Sequence, residues 1–211
     1  MAASLSVFVY GGGGHARVVI DILERMKRIK LAFVVDDTRA HAAKLCGYPV
    51  IGGSDALLAS RRRARAGIVA IGDNGARARV AAWLTEHGFR AASAIHPAAI
   101  IARGVEIGDG TAVMAGAVIN SGTRIGAHVI INTGATIDHD CAIGDFAHVA
   151  PGCHLCGGVR VGAGTLLGVG TSAIPGVTIG ANVVIGAGST VLQDIPDGAR
   201  MAGSPCRPVG S

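Results

Sequence analysis

From Ile95 onward a large aliphatic residue recurs at every sixth position, and this register holds as far as Val191. Sixteen of the seventeen positions in the series are Ile, Val or Leu, and Ala173 is the exception. Four residues after each of them stands a small or β-branched residue, such as Thr111 or Thr123. Neither the 3.6-residue period of a helix nor the two-residue period of a strand fits this spacing. The pattern therefore predicts a coil of short strands that bends every six residues.

A second period of 18 residues is superimposed on the first. An aliphatic residue followed by glycine recurs at this interval, at Ile107-Gly108, Ile125-Gly126, Ile143-Gly144, Val161-Gly162 and Ile179-Gly180. Three six-residue units thus complete one turn, which predicts a triangular prism whose coils stack about 4.8 Å apart. Each coil would bury its aliphatic side chains against its neighbours. Glycines are expected to allow the tight bends that a Cβ would obstruct.

This repeat resembles that of the hexapeptide-repeat acyltransferases. The resemblance implies a left-handed parallel β-helix, which departs from the usual right-handed crossover. It also implies a homotrimer whose active sites lie between neighbouring prisms. The same period argues against a membrane-spanning interpretation of the apolar residues 161–192, because glycines and small polar residues recur within it.

The first 92 residues follow a different pattern. Residues 5–10 predict a buried strand, and a glycine run then leads into a helix expected from about Ala16 to Arg28. Further strands are predicted at 31–35 and 68–71, with a helix from Gly75 to His87. This βαβαβ order predicts an α/β half-Rossmann domain ahead of the β-helix. We expect domains at 1–92 and 93–196, with a C-terminal tail at 197–211.

Gly11, Gly13 and Ala16 match the dinucleotide fingerprint G-x-G-x-x-A. Only about 90 residues precede the β-helix, so the second mononucleotide half is missing and a single nucleotide is the better prediction. Ends of parallel strands converge on one crevice. The residues predicted there, as ligands of the substrate, are Gly13, Gly14, His15, Asp36, Asp37 and Gly72. A tight βα turn with capping acids is the purely structural alternative.

The glycine loop, the Asp36-Asp37 pair, the turn at residues 71–74 (Ile-Gly-Asp-Asn) and the uninterrupted hexapeptides together are similar to one acetyltransferase family. It comprises sialic acid O-acetyltransferases and the bacillosamine- and perosamine-type sugar N-acetyltransferases. The resemblance implies N-acetylation of a UDP- or GDP-linked 4-amino sugar by acetyl-CoA, for surface polysaccharide or glycan synthesis. An O-acetyltransferase acting on a sialic acid-type sugar, and a non-enzymatic nucleotide-binding assembly protein, stay open as alternatives.

Candidate catalytic chemistry is concentrated around His139. The acid Asp140 follows it directly, and a carboxylate bonded to one ring nitrogen orients an imidazole and raises its basicity. Gly157 follows one coil later, where its backbone N–H suits an oxyanion donor. The family's base, orienting acid and backbone donor match His139, Asp140 and Gly157. Asp138 is the less favoured orienter, because the motif places the acid after the histidine.

The resemblance also assigns acetyl-CoA contacts. It places His148 near the thioester, contributed by a neighbouring subunit because it lies on another side of the prism from His139. Gly157, Val169 and Thr178 are expected to line the pantetheine groove. Arg207, in the tail, could meet a CoA phosphate or be a solvated charge.

The charge and the cysteines limit the possible partners, location and metal content of the protein. The net charge is +5, but Arg61, Arg62, Arg63 and Arg65 are expected to form a solvated helix end, and no interleaved aromatics indicate nucleic-acid binding. Five cysteines without a signal peptide predict a reduced cytoplasmic protein without disulfides. The Cys153–Cys156 pair spells C-x-x-C, but Cys153 occupies a small-residue slot and no second pair exists, so no metal is expected.

Overall fold

The computed structural model describes residues 4–38 and 44–209. Contacts within the chain divide it into two compact units, Met1–Pro97 and Ala98–Ser211. The first is an α/β unit and the second a parallel β-helix, as the sequence predicts.

The α/β unit contains three helices and a six-stranded sheet among the described residues. Its elements are β1 (Leu5–Tyr10), α1 (Gly14–Arg25), β2 (Ile29–Val35), β3 (Lys44–Leu45), β4 (Tyr48–Ile51), α2 (Gly53–Ala59), β5 (Ala66–Val69), α3 (Asn74–Glu86), β6 (Arg90–Ala91) and, before the second unit, β7 (Ala94–Ile95). The sheet has the order β3-β4-β2-β1-β5-β6, and only β3 is antiparallel to its neighbour. The predicted β1-α1-β2-β5-α3 order is confirmed.

The sequence pattern missed β3, β4, α2 and β6. Three of these have four residues or fewer within the sheet, and Pro49 interrupts the strand pattern of β4 because proline lacks an N–H for the ladder.

Aromatic packing fills the centre of the α/β unit. The ring of Phe8 stacks on Phe33 at a centroid distance of 5.9 Å and meets Phe89 edge-on at 5.4 Å. The Phe8 ring lies where a Cβ on Gly67 would be, so β5 needs a glycine at this point. Phe8 and Phe33 are fully buried.

The second unit is built almost entirely of two-residue strands. They are β8 (Ile100–Ile101), β9 (Glu106–Ile107), β10 (Ala112–Val113), β11 (Val118–Ile119), β12 (Arg124–Ile125), β13 (Ile130–Ile131), β14 (Thr136–Ile137), β15 (Ala142–Ile143), β16 (His148–Val149), β17 (His154–Leu155), β18 (Arg160–Val161), β19 (Leu166–Leu167), β20 (Ser172–Ala173), β21 (Thr178–Ile179), β22 (Val184–Ile185), β23 (Thr190–Val191), β24 (Arg200–Ala202) and β25 (Arg207–Pro208).

These strands form three parallel faces. Face one runs through β10, β13, β16, β19, β22 and β24; face two through β8, β11, β14, β17, β20 and β23; and face three through β9, β12, β15, β18 and β21. Paired residues from β8 to β23 are 18 apart, as in the Val113–Ile131–Val149 ladder, and the separation falls to 16 where β22 pairs with β24. The 18-residue coil is therefore confirmed. The second residue of each strand from β10 to β23 is the inward aliphatic, at most 3% exposed.

The glycines fall into two classes, although the sequence predicts a single role for them. Many corner glycines have positive φ, and at some of them, such as Gly188 (+68°), the space that a Cβ would occupy is open. The glycines that follow the face-three strands are different. A Cβ on Gly144 would lie 2.6 Å from the backbone N of Ala163 in the next coil. Their function is close stacking of coils rather than bending.

The end of the β-helix extends into the segment predicted as a tail. β24 pairs with β22, and β25 folds back antiparallel onto β24. Cys206 is buried there, whereas Arg207 is exposed. Residues 161–192 form coils of the prism, and within residues 4–38 and 44–209 no helix has the length and apolarity needed to cross a membrane.

Candidate active site and the cavity of the α/β unit

His139 and Asp140 occupy the corner between face two and face three, directly after β14. The His139 Nδ1 lies 2.9 Å from Asp140 Oδ2, and both side chains are largely exposed, at 61% and 73%. A carboxylate only accepts, so Nδ1 carries the proton and Nε2 keeps its lone pair. Among the described residues Nε2 has no hydrogen-bond partner. The arrangement presents a basic nitrogen to solvent.

Gly157 lies directly beneath the His139 ring. A Cβ at Gly157 would be 2.6 Å from Cε1 and 2.7 Å from Nε2 of His139, so the glycine lets the imidazole lie over the next coil. In the described chain the Gly157 N–H has no hydrogen-bond acceptor. The corresponding N–H one coil earlier, that of His139, donates to Asp138 Oδ1 at 2.9 Å. Cys156 replaces the aspartate before Gly157, which leaves this N–H available.

Several side chains fix the backbone of the His139 corner. Asp138 Oδ1 also accepts a hydrogen bond of 2.9 Å from Asn120 Nδ2, on the preceding coil. The buried Thr123 hydroxyl donates to the carbonyl oxygen of Asp138 at 2.7 Å and accepts from the N–H of Cys141. Asp140 adopts a φ of 59°, a left-handed conformation that aspartate tolerates. Asp138 thus has a larger role than the sequence indicates, because it holds the backbone rather than the ring.

The carboxylates also shift the pKa of His139. The hydrogen bond to Asp140 is the main reason that the pKa of His139 is raised, and the charge of Asp138 is the next. The pKa of Asp138 itself is lowered, chiefly because it accepts the His139 N–H. The imidazole is thus a stronger base than a free histidine.

His148 lies on face one, in β16, and does not meet His139 within the chain's own prism. Its Nε2 is 3.1 Å from Nδ2 of Asn132. Asn132 Oδ1 accepts from the N–H of Thr133, which fixes the amide orientation so that its NH₂ group points to His148. Asn132 was not among the residues predicted from the sequence, because its separation of 16 residues from His148 differs from the 18-residue period of the repeat.

The other two predicted acetyl-CoA contacts lie on different parts of the prism. Val169 is 54% exposed at the corner between faces one and two. Thr178 lines a groove of about 680 Å³ along face three, together with Arg124, Arg160 and the stacking glycines. Its N–H donates to Asp194 Oδ1 at 2.7 Å and its carbonyl accepts from the N–H of Ile195, so its backbone N–H is not available to a ligand.

In the α/β unit, all six predicted substrate residues line one cavity of about 430 Å³. The cavity lies at the carboxyl ends of β1, β2 and β5, as parallel topology requires. Its lining comprises Gly13, Gly14, His15, Asp36, Asp37 and Gly72, with Tyr10, Thr38 and the rest of the glycine loop.

The two acids of this cavity are held differently. The Tyr10 hydroxyl donates to both Asp37 oxygens, at 2.9 and 3.0 Å, and its burial next to this carboxylate raises the pKa of Tyr10 strongly. Asp36 Oδ1 accepts from the N–H and hydroxyl of Thr38. Each carboxylate keeps acceptor capacity for sugar or base N–H and O–H groups.

The start of α1 borders the cavity with an uncapped helix N-terminus. Gly13 is its N-cap, no side chain caps the helix, and no acidic residue lies in its first turn. A Cβ added to Gly13 or Gly14 would meet nothing within 4 Å, so both glycines border open space. Gly11 has a different role, because a Cβ there would lie 2.7 Å from the carbonyl oxygen of Ala70. Uncapped N–H groups at a helix N-terminus bind phosphate.

Arg77 supports the cavity from inside the protein and was not predicted from the sequence. It is 1% exposed and donates to the carbonyl oxygens of Ile71 and Gly72 and to Asn74 Oδ1. Burial lowers the pKa of Arg77 to about 10. It therefore fixes the loop that carries Gly72. An isolated arginine in a helix gives no sequence signal for this role.

The C-x-x-C pair behaves as the repeat predicts. Cys153 is fully buried, and its thiol donates to the carbonyl oxygen of Gly168 at 3.1 Å, whereas Cys156 is exposed. In the part of the chain that the structure describes, no three His, Cys, Asp or Glu side chains are grouped so as to hold a metal ion.

Comparison with known proteins identifies both units. Residues 6–84 match the family described as the PglD N-terminal domain, and residues 104–139 match the bacterial transferase hexapeptide family. No curated protein matches the sequence significantly.

Solved structures resemble the chain along nearly its whole length. PerB from Caulobacter crescentus, in complex with CoA and GDP-perosamine, is 44% identical with a TM-score of 0.92, and 97% of each chain is covered. The acetyltransferase domain of PglB from Neisseria gonorrhoeae, in complex with acetyl coenzyme A, is 35% identical with a TM-score of 0.89, covering 98% of this chain and 100% of that one. WeeI from Acinetobacter baumannii shares the fold at 23% identity, with a TM-score of 0.75 and coverage of 98% of this chain and 100% of that one.

Together, the identity to PerB and the PglB domain and the two family matches show what kind of protein this is. The chain belongs to the hexapeptide-repeat acetyltransferases of nucleotide-linked amino sugars that carry a PglD-type N-terminal domain.

Proposed function

We propose that the protein transfers the acetyl group of acetyl-CoA to the amino group of a nucleotide-linked 4-amino sugar, and that a GDP-linked sugar is the first acceptor to test. The observation that carries this proposal is the His139–Asp140 pair over Gly157, a basic nitrogen beside an available N–H donor. Similarity to PerB, solved with GDP-perosamine, supports the choice of guanine nucleotide.

The chemistry assigned to the chain's own groups is simple. His139 Nε2 accepts the proton that the sugar amine loses as its nitrogen attacks the acetyl carbonyl carbon. Asp140 holds the imidazole and stabilises its protonated form through Nδ1–H. The Gly157 N–H donates to the carbonyl oxygen as negative charge develops on it. Acetyl-CoA supplies the activated thioester; as its C–S bond breaks, the departing sulfur takes up the proton that His139 removed from the amine and leaves as the thiol.

A homotrimer follows as part of the proposal. His139 lies at one corner of the prism and His148 on the opposite face, so a single prism does not bring them together. A neighbouring copy that supplies His148 would complete the acetyl-CoA site, with pantetheine along the groove of face three that contains Thr178. Val169 is proposed to join the groove from the same neighbour.

The cavity of the α/β unit is proposed to hold the nucleotide. Its uncapped helix N-terminus suits the pyrophosphate, and Asp36 and Asp37 suit N–H and O–H donors of ribose or base. We propose the cytoplasm, where acetyl-CoA and nucleotide sugars are made, as the site of action.

The test is a thiol-release assay with acetyl-CoA and four acceptors: UDP-, GDP- and dTDP-linked 4-amino sugars and free sialic acid. Rapid release with one nucleotide sugar is the expected result. Release with sialic acid alone would replace the proposal with an O-acetyltransferase.

His139→Ala should lower kcat by about 100-fold or more, the usual value of a positioned general base. The matched control is His154→Ala, an exposed histidine on face two that hydrogen-bonds Thr136. This variant should keep the wild-type kcat within about twofold, because no step in the proposed chemistry needs it. Equal turnover by wild type and His139→Ala would refute the assignment of the base.

A further inference from the structure

The amino ends of the central strands in the α/β unit carry a concentration of positive charge. β1, β2, β5 and β6 are parallel neighbours, so their amino ends lie along one edge of the sheet. Hydrogen bonds tie the flanking loops together there: the Leu5 N–H donates to the Arg28 carbonyl, and the Arg90 N–H donates to that of Arg65. We call the exposed cations of this edge the basic edge: Lys27, Arg28, Arg62, Arg63, Arg65 and Arg90.

The charge of the whole protein is distributed very unevenly. Residues 1–97 contain 14 of the 19 Lys and Arg residues but 7 of the 14 Asp and Glu residues, which leaves +7 in this unit and −2 in the rest. The acids within the unit lie mainly elsewhere. Asp36 and Asp37 line the cavity at the opposite edge, and Asp73 caps α3 there. Asp21, Glu24 and Glu86 are the acids on the helix ends near the basic edge, and Asp21 forms an ion pair with Arg25.

Two arginines of this region are held in place rather than free in solvent. Arg61 donates to the carbonyl oxygen of His87 and lies over the Phe89 ring at 5.1 Å. Arg63 lies over the Phe33 ring at 4.8 Å, and its carbonyl accepts from the Ser6 hydroxyl. A solvated helix end, expected from the sequence, would not need these contacts. They hold the loop after α2 against the sheet, so its charges keep fixed positions.

The surroundings of the basic edge favour a lipid surface over a nucleic acid. The Phe33 and Phe89 rings are buried and covered by guanidinium groups, so they offer no face for stacking of bases. Leu5, the first residue of β1, is instead 41% exposed among the cations. Cations around an exposed aliphatic side chain suit an anionic bilayer, where each Lys or Arg interacts with the surface charge and the aliphatic group enters the interface.

We propose that the basic edge docks the protein reversibly onto membranes rich in anionic phospholipid. The nucleotide cavity lies at the opposite edge of the same sheet, at the carboxyl ends of the strands. Docking therefore leaves the mouth of the cavity facing away from the bilayer. The proposal does not depend on which sugar accepts the acetyl group, and vesicle binding itself is measured without any acceptor.

The experiment is co-sedimentation of the full chain with vesicles of phosphatidylcholine alone and of phosphatidylcholine with phosphatidylglycerol. We expect binding only to the anionic vesicles, and loss of that binding at high salt because surface charges are screened. The double variant Arg62→Glu/Arg65→Glu should bind at least about tenfold more weakly. Both side chains are exposed, so the variant should fold and release thiol at the wild-type rate.

The matched control is Arg103→Glu/Arg200→Glu, which makes the same change in net charge on exposed positions of the β-helix. It should retain vesicle binding. Equal binding to neutral vesicles, equal losses in both double variants, or no vesicle binding by the wild type would each overturn the proposal. Tighter binding to a short DNA duplex than to anionic vesicles at the same ionic strength would assign the basic edge to nucleic acid instead.

Discussion

In the β-helix, paired residues from β8 to β23 are 18 positions apart, whereas the residues that line the cavity of the α/β unit come from loops with no common spacing. His139 and Gly157 are adjacent because one coil separates them. Asp37 and Tyr10 are adjacent only because β1 and β2 are neighbours in the sheet. Contacts in a repeat can therefore be predicted from sequence spacing, whereas contacts in an α/β sheet depend on which strands become neighbours.

The two regions also use glycine for different purposes. Along face three the glycines permit coils to stack, and their spacing is as regular as that of the aliphatics. In the α/β unit Gly11 permits close approach to Ala70, whereas Gly13 and Gly14 border open space in the cavity. Substitution should thus affect stability in one region and binding in the other.

The strongest effect should come from a test of the stacking role. Gly144→Ala should lower the free energy of unfolding by about 3 kcal/mol, because its Cβ would overlap the backbone of the next coil. Gly188→Ala, which has positive φ but open surroundings, should cost only about 1 kcal/mol. Thermal unfolding of both variants measures the difference. Equal losses would show that bending, rather than stacking, is what both glycines provide.

A smaller effect is expected at the cavity. Asp37→Asn should raise the KM for the nucleotide sugar about tenfold, because a charged hydrogen-bond acceptor is removed. The KM for acetyl-CoA and the melting temperature should stay near wild type. Asp55→Asn, an exposed acid outside the cavity, serves as control. A matching rise in the KM for acetyl-CoA would mean that the two regions do not bind separate substrates.

The next effect concerns the pH dependence of the base. Asp140 raises the pKa of His139, and the reaction needs the neutral imidazole, so the acid limb of kcat/KM should move to lower pH in Asp140→Asn. Asparagine tolerates the left-handed φ of position 140, so the corner should keep its backbone. We expect the plateau of kcat/KM to fall about tenfold, since an amide stabilises protonated His139 less well. If the acid limb of kcat/KM stays at the wild-type pH in Asp140→Asn, the group that titrates in the reaction is not His139.

The weakest effect is expected for Asp138→Asn. Its side-chain oxygen can still accept from the His139 N–H, but the charge that helps to raise the pKa of His139 is lost. The acid limb should therefore move in the same direction with little change in the plateau. Rate profiles over pH for the two variants, measured together, distinguish positioning of the backbone from orientation of the ring. If the plateau of kcat/KM fell further in Asp138→Asn than in Asp140→Asn, Asp138 rather than Asp140 would be the acid that orients the His139 ring.

Much of the fold could be predicted because periodicity is a local property. Six-residue spacing determines which side chains point inward, and the glycine run after β1 marks the start of α1. The short elements β3, β4 and β6 could not be predicted, since two to four residues in a strand carry no period of their own. Of the site, His139, Asp140 and Gly157 follow from the repeat, whereas Tyr10, Asn132 and Arg77 do not.

The prism, the coil length, the order of the main α/β elements and the pairing of His139 with Asp140 could all be inferred from the amino-acid order, because each depends on neighbours at fixed intervals. Two further features emerge only when the chain is folded: Arg77 supports the Gly72 loop, and cations from separate segments converge at one edge of the sheet. These features depend on how side chains pack and on which strands become neighbours. Residues that are far apart in the sequence meet only when the whole unit is folded.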